Sequence, residues 1–274
     1  DLERFAGDWA IDNDISPDGV TSEEYKKSGD FTKIKGKVAV VSSGPAGLTV
    51  AGNLARSKKV DVTVFESLHL LGGVLRYGIP EFRLPNDIID KEIQTLEQMG
   101  VEFKTNFVVG KTRKLKDLIE KDGYHAVFIG VGAGLPIFMG IEGENLVGVF
   151  SANEYLTRAN LMRAFDKEHA DTPIFPSRKV AVLGGGNVAM DAARMAKRLG
   201  AENVYVVYRR TEKEMPARKE EVEHAKEEGI EFLFLQNAKR IIGTEDGRVK
   251  QIECLRYELG EPDSSGRRRP IEIK

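Results

Sequence analysis

Three consecutive glycines, Gly184-Gly185-Gly186, follow an apolar run, Val180-Ala181-Val182-Leu183, and precede a helix-forming stretch that begins Asn187-Val188-Ala189-Met190. A second apolar run, Val204-Tyr205-Val206-Val207-Tyr208, ends in Arg209-Arg210. The spacing of Gly184, Gly186 and Ala189 fits Gly-x-Gly-x-x-Gly/Ala, the turn that joins a strand to a helix at a dinucleotide site. Its glycines let backbone N–H groups approach a pyrophosphate, and the helix N-terminus adds partial positive charge. A carboxylate about 20 residues past the turn binds a ribose 2′-OH, whereas a cation there suits a 2′-phosphate. Arg209 stands 20 positions after Ala189, so the chemistry expected is binding of NADP(H).

A second unit of the same kind lies earlier. Residues 38–41 read as a strand, Ser42-Ser43-Gly44-Pro45-Ala46-Gly47 as the turn, and the residues through Ala55 as a helix. A further strand, residues 61–66, ends in Glu66, 19 positions after Gly47, where an acid meets a ribose 2′-OH. Acid at one unit and arginine at the other imply two different nucleotides. Ser42 departs from the pattern, because the tight turn favours a residue without Cβ. The alternative is an ordinary strand-to-helix turn with Glu66 as a solvated strand end.

The elements around these units follow from hydrophobic period and turn residues. Residues 2–10 carry Leu2, Phe5 and Trp9 on one helical face, and the polar residues 11–36, with Pro17-Asp18-Gly19, read as a linker or surface arm. Residues 71–85 form a long Gly- and Pro-punctuated loop with large apolar residues, and loops of that length are often functional. Residues 87–100 read as an amphipathic helix with Ile88, Ile89, Ile93, Leu96 and Met99 inward and Gly100 as its cap. A strand (101–104), a helix (115–121) and a buried strand (126–129) follow, the last running into Gly130-Val131-Gly132-Ala133-Gly134. Such a glycine-dense end marks close backbone approach. Ser151 and Glu154 have capping-box spacing, ahead of Leu156, Leu161, Met162 and Phe165. The break at residues 171–176 is expected to be a domain boundary. After Arg210 come a charged helix to Gly229, a strand (230–235), a hairpin pair turning at Asp246-Gly247, and Arg267-Arg268-Arg269, expected at an exposed hairpin tip.

Composition excludes several classes. With 274 residues, 41% hydrophobic and 31% charged, the chain reads as globular, and a net charge of −2 does not suggest nucleic acid. No apolar run nears the roughly 18 residues of a membrane helix, and no leader pattern opens the chain. The single cysteine, Cys254, suits a reducing cytoplasmic setting and cannot alone hold an iron–sulfur cluster. It lies in an alternating run and reads as a packed thiol. His69, His125, His169 and His224 are scattered without metal-ligand spacing, and no catalytic nucleophile is visible.

Several stretches together resemble the small (β) subunit of NADPH-dependent glutamate synthase and its relatives, the NADPH:ferredoxin oxidoreductase and sulfide dehydrogenase flavoprotein subunits, and more distantly part of dihydropyrimidine dehydrogenase. They are Gly44-Pro45-Ala46-Gly47-Leu48, Gly72-Gly73-Val74-Leu75, Tyr77-Gly78-Ile79-Pro80, Phe82-Arg83-Leu84-Pro85, Gly184-Gly185-Gly186-Asn187-Val188-Ala189-Met190-Asp191 and Tyr208-Arg209-Arg210. The resemblance implies an α/β flavoprotein with two Rossmann-like dinucleotide-binding domains, the NADPH domain being inserted in the FAD domain. Carried over by position, Gly44, Pro45, Ala46 and Gly47 lie along the FAD pyrophosphate and Glu66 holds the adenosine ribose. Gly73, Leu75 and Arg76 lie near the flavin, and Gly132 and Ala133 match a glycine-rich crossover strand. Gly184, Gly186, Asn187 and Val188 bind the NADPH pyrophosphate, and Arg209 with Arg210 the 2′-phosphate.

The implied activity is hydride transfer from NADPH to FAD, with electrons leaving through iron–sulfur clusters, in a missing segment or a partner, to an electron-accepting subunit: a glutamate synthase large subunit or a ferredoxin-like protein. No nucleic acid and no membrane are expected. Ser42 replaces the family's first glycine. The family's amino-terminal cysteine clusters and its carboxyl-terminal return into the FAD domain lie outside the sequence, whose ends read as cut. The expected division is therefore a helix and linker arm (1–36), an incomplete FAD-binding domain (37–172) and a nearly complete NADPH-binding domain (173–274). The alternative is a truncated, non-catalytic NADPH-binding module or adaptor.

Overall fold

The structure is a computed structural model that describes residues 2–13, 15, 36–166, 168, 170, 172, 174, 177–262, 264 and 266–273. Most of the expected linker arm, and several residues of the expected break at 171–176, lie outside that set. The chain divides into two compact units, Asp1–Tyr77 with Glu81–Gly134, and Gly78–Pro80 with Leu135–Lys274.

The first unit holds helix α1 (Leu2–Asp12), strand β1 (Gly36–Val41), α2 (Pro45–Ser57), β2 (Val60–Phe65), α3 (Val74–Tyr77), α4 (Asn86–Gln98), β3 (Glu102–Lys104), α5 (Leu115–Glu120) and β4 (Ala126–Ile129). Its parallel sheet has the order β3-β2-β1-β4. Strand period 2 sends alternate side chains to opposite faces. Val40, Val62 and Val64 pack with Ala51 and Ala55 of α2, while Ala39 and Phe65 pack with Leu118 and Tyr124 on the other face. Both faces of the central strands are thus covered, as a parallel sheet requires. The small residues on α2 let the helix lie close to the sheet, which brings its N-terminus over the β1 turn.

The second unit holds α6 (Ala152–Asn160), β5 (Lys179–Leu183), α7 (Asn187–Arg198), β6 (Asn203–Tyr208), a 3-10 turn (Glu212–Glu214), α8 (Lys219–Glu227), β7 (Glu231–Phe234), β8 (Gln236–Gly243), β9 (Val249–Pro262) and β10 (Arg268–Glu272). Strands β5-β6-β7 form a parallel sheet, and β8-β9-β10 an antiparallel one. The core gathers Ala189, Met190, Ala193 and Ala196 of α7 around Val204 and Val206 of β6 and Val222 and Ala225 of α8. Tyr155 of α6 packs against that same cluster, which groups α6 with the second unit. Ser151 caps α6 by accepting the Glu154 N–H at 3.1 Å.

Three expectations change. Residues 126–129 were expected as a buried strand, but β4 pairs only with β1 among the described residues, and Ile129 is 55% exposed. The basic triplet is not a hairpin tip: Arg268 begins β10 and pairs opposite Pro262. Within the loop of residues 71–85 the chain makes one helical turn, α3.

Candidate functional site

In the first unit, β1 delivers the chain to Ser42 at φ +85°, a backbone conformation that normally favours glycine. The turn is held by its own residues. A Cβ on Gly47 would stand 1.9 Å from the Ser42 carbonyl oxygen, and one on Gly73 would stand 2.7 Å from Gly44 Cα. So residues 72–73 lie directly on the fingerprint, with room for backbone alone. Gly130 also approaches it, its Cβ position lying 3.5 Å from the Gly47 nitrogen, whereas a Cβ on Gly132 would meet nothing. Of the glycine-dense strand end, Gly130 is the close contact; Gly132 and Ala133 are exposed.

Glu66 follows β2 directly and is 2% exposed. Its Oε2 accepts from the Ser43 N–H at 2.8 Å and the Ser43 hydroxyl at 2.6 Å. Its Oε1 accepts from the Ser67 hydroxyl at 3.1 Å and the Leu68 N–H at 2.9 Å. Four donors fill the main acceptor directions of a carboxylate. Glu66 is therefore a buried brace between strand end and turn, not a solvated strand end. Ser43 extends the brace, its hydroxyl accepting from the Gly72 N–H at 3.0 Å. Sequence reasoning passed over Ser43, since nothing in its type marks it beside the glycines. Arg76 turns inward: its guanidinium donates to Asp90 and, at 2.9 Å, to the Leu71 carbonyl. Leu75 beside it is half-buried.

Gly44 is the N-cap of α2, with no side-chain cap and Pro45 in the first turn. The first backbone N–H groups of a helix lack intrahelical partners. Here the Ala46 and Gly47 amides are free of a side-chain competitor. A close-packed glycine turn below uncapped amides fits a pyrophosphate.

In the second unit the same turn is more open. Gly184 takes φ +139°, and Gly186 caps α7 with no side-chain bond and nothing within 4 Å of its Cβ position. Val188 is 49% exposed at the helix start. The segment after β6 folds back onto the turn. Tyr208 lies under Gly185, 2.8 Å from its Cβ position, and donates its hydroxyl to the Glu214 carbonyl at 2.9 Å. Ala217 N–H donates to Gly185 O at 3.1 Å, and Arg218 N–H to Asn187 Oδ1 at 2.9 Å. The Gly185 carbonyl and the Asn187 side-chain oxygen thus anchor residues 217 and 218 in turn.

The two arginines after β6 part company. Arg209 is exposed, and among the described residues no hydrogen bond or ion pair holds its side chain. Arg210 is 6% exposed and donates Nε to the Arg268 carbonyl at 2.7 Å. Arg268 in turn donates Nε to Glu214 at 2.6 Å. Burial pushes the Glu214 carboxyl up, but hydrogen bonds from Arg268 and Thr211 outweigh it and hold the group below the usual carboxylate range. Thr211 and Glu214 form a capping box, a spacing readable in the sequence. Arg268 lies too far along the chain to have been found that way. Among the described residues no cluster of His, Cys, Asp or Glu could hold a metal ion, and no helix is long and apolar enough to cross a membrane. Burial pushes the Cys254 thiol up, away from reactivity.

A family model described as pyridine nucleotide-disulphide oxidoreductase matches residues 36–263. The subunit β of an NADP(+)-dependent formate dehydrogenase from Moorella thermoacetica is 42% identical over 239 residues, covering 86% of this chain and 32% of that protein. The small chain of an NADPH glutamate synthase from Escherichia coli is 37% identical over 270 residues, covering 98% of this chain and 55% of that one. The chain thus spans from a third to somewhat over half the length of these relatives. Among solved structures, FprA of Mycobacterium tuberculosis in complex with NADPH shares the fold at a TM-score of 0.72 and 22% identity, over 87% of this chain and 67% of that one.

Proposed function

The chain belongs to the pyridine nucleotide-disulphide oxidoreductase family, and from that premise we propose that it is the nucleotide-binding part of an NADPH-dependent flavin oxidoreductase of the glutamate synthase small-chain kind. The observation that carries the reading is the pairing of two strand–turn–helix–strand units, one closing on the acid Glu66 and one on the cation Arg209. The first unit holds FAD, with its pyrophosphate at Gly44, Pro45, Ala46 and Gly47. The second holds NADPH, with its pyrophosphate at Gly184, Gly186 and the start of α7 and its 2′-phosphate at Arg209. When bound, the two cofactors supply hydride transfer from nicotinamide to flavin. The protein's own residues bind and orient them. Arg209 sets the choice of NADPH over NADH, because its guanidinium can fork two phosphate oxygens that NADH lacks. Electrons then leave to a partner subunit or an iron–sulfur domain, as the multi-subunit names of the relatives suggest.

A second reading has one observation in its favour. Glu66 already accepts four hydrogen bonds from its own chain, so the chain could serve as an NADPH-binding module without turnover. The visible spectrum separates the two: flavin bands that bleach on adding NADPH support the oxidoreductase, and a colourless protein that binds NADPH supports the module. Arg209→Glu is expected to weaken NADPH binding far more than NADH binding. Equal loss of both would remove the 2′-phosphate assignment.

A further inference from the structure

We propose that Arg268, carried by the last strand of the antiparallel sheet, is a positioning residue that sets the preference for NADP(H) over NAD(H). This deepens the reading above and rests on Arg209 meeting the 2′-phosphate.

The residues flanking Arg209 are pinned to one small cluster. Before it, the Tyr208 hydroxyl donates to the Glu214 carbonyl at 2.9 Å. After it, the Arg210 carbonyl accepts from Leu235 N–H at 3.1 Å, and Arg210 Nε donates to the Arg268 carbonyl at 2.7 Å. The Arg268 guanidinium closes the circuit on Glu214 at 2.6 Å, and that carboxylate also accepts from the Thr211 N–H at 3.2 Å and from the Thr211 hydroxyl. Arg210, Arg268, Glu214 and Thr211 thus form a ring that ends where it began. Arg209 beside it is exposed, and among the described residues no hydrogen bond or ion pair holds its side chain. The register of β10 on β9 shifts between Arg268 and Pro270.

The ring does two things for Arg209. It fixes the backbone on both sides, so the guanidinium is presented from a rigid base, which limits what binding must order. It also sets the local charge. Glu214 is 5% exposed, and its negative charge is answered by Arg268. Removing that cation would leave a buried carboxylate held by the Thr211 donors alone, five residues from Arg209, and a negative charge without its counter-ion disfavours a phosphate nearby. Both effects act on a 2′-phosphate and spare a 2′-hydroxyl. Among the described residues no hydrogen bond or ion pair joins Arg268 to the glycine turn, so the pyrophosphate common to both nucleotides should be indifferent to it.

The test is calorimetric titration of the 274-residue chain with NADP+, NAD+ and 2′-AMP. Arg268→Gln is expected to weaken NADP+ and 2′-AMP about ten-fold while NAD+ stays within about two-fold. Arg268→Lys keeps a cation for Glu214 and is expected to recover NADP+ affinity to within about three-fold of the parent. The double variant Arg268→Gln/Glu214→Gln removes the repulsion without restoring the tether, and should lie between. Equal weakening of NADP+ and NAD+, no change in either, or a Lys variant as weak as the Gln variant overturns the proposal. Should Arg268→Gln fail to fold, Glu214→Gln carries the comparison, because it breaks the same ion pair from the other side: an NADP+/NAD+ preference unchanged in it refutes the proposal. Arg209→Gln serves as the reference. If it leaves 2′-AMP binding intact, the 2′-phosphate assignment itself is lost; if it abolishes the preference and Arg268→Gln does not, only the role of Arg268 falls.

Discussion

Ser42 offers the sharpest check on how the first turn is built. Its φ of +85° places a side chain where glycine is normally needed. Holding a Cβ in that region costs about 1–2 kcal/mol. Ser42→Gly removes that strain but frees the unfolded chain, which costs about 0.5–1 kcal/mol. It also loses the bond from Gly44 N–H to the Ser42 hydroxyl, long at 3.3 Å, which contributes at most about 0.5 kcal/mol. The net effect against serine lies between a loss of about 0.5 and a gain of about 1.5 kcal/mol. Ser42→Ala keeps the strain and loses the bond, so it is destabilised by about 0.5 kcal/mol. The lost bond is common to both, so glycine should exceed alanine by up to about 1.5 kcal/mol. At a position of ordinary negative φ the order reverses, because alanine restricts the unfolded chain. The measurement is urea unfolding of the three proteins followed by far-ultraviolet circular dichroism, compared at equal m-value. An alanine variant more stable than the glycine variant would refute the account of the turn.

The glycines of the two turns should separate stability from binding. Gly47→Ala must displace the Ser42 carbonyl, 1.9 Å from the new Cβ, and is expected to cost more than about 4 kcal/mol, seen as lost amide protection in β1 and β2 by hydrogen exchange. Gly186→Ala meets nothing within 4 Å and sits at φ −93°, so its melting curve should overlay the parent's while NADP+ affinity falls; unaltered affinity would count against the pyrophosphate at that turn. Acid should act through Glu228. Burial raises its pKa, but the hydrogen bonds and charges of Arg198 and Arg194 outweigh burial and hold it below the ordinary value. A depressed folded pKa stabilises above the unfolded pKa and loses that contribution as pH falls through the folded value. Glu228→Gln should therefore be less stable than the parent at pH 7 by about 1–3 kcal/mol, with the gap closing on acidification; a constant gap across the titration would contradict the assignment.

The parallel units were legible because their signals are local. Apolar runs, glycine turns and helical period each occupy a few adjacent residues, and β1, α2, β5, α7 and β6 stand where those signals lie. What could not be read depends on contacts between distant residues. The exposure of Ile129 follows from the sheet order, which leaves β4 with one partner among the described residues. Helix α6 was expected with the first domain, since the Pro-rich break follows it; Tyr155 instead packs against the core of the second unit. The roles of Arg210 and Arg268 emerge only when β10 pairs with β9 and returns to the end of β6. The Glu66 brace was half legible: the acid was found by spacing, but its partner Ser43 carries no signal of its own.

The two turns show how one topology can be used in opposite ways. In the first unit the residue after the second strand is an acid drawn inward, joined through Ser43 to the turn and to Gly72. Turn, strand end and the loop at residues 72–73 become one packed object, and almost any side chain added there breaks the fold before it can report on a ligand. In the second unit the equivalent residue, Arg209, stays in solvent, and bracing falls to its neighbour Arg210 and to a strand nearly 60 positions away. That division frees Arg209 from any structural duty and leaves Gly186 room for a methyl group. Substitutions there can change affinity without changing stability. Dissection of nucleotide choice should therefore start in the second unit, where a lost ligand and a lost fold give different results.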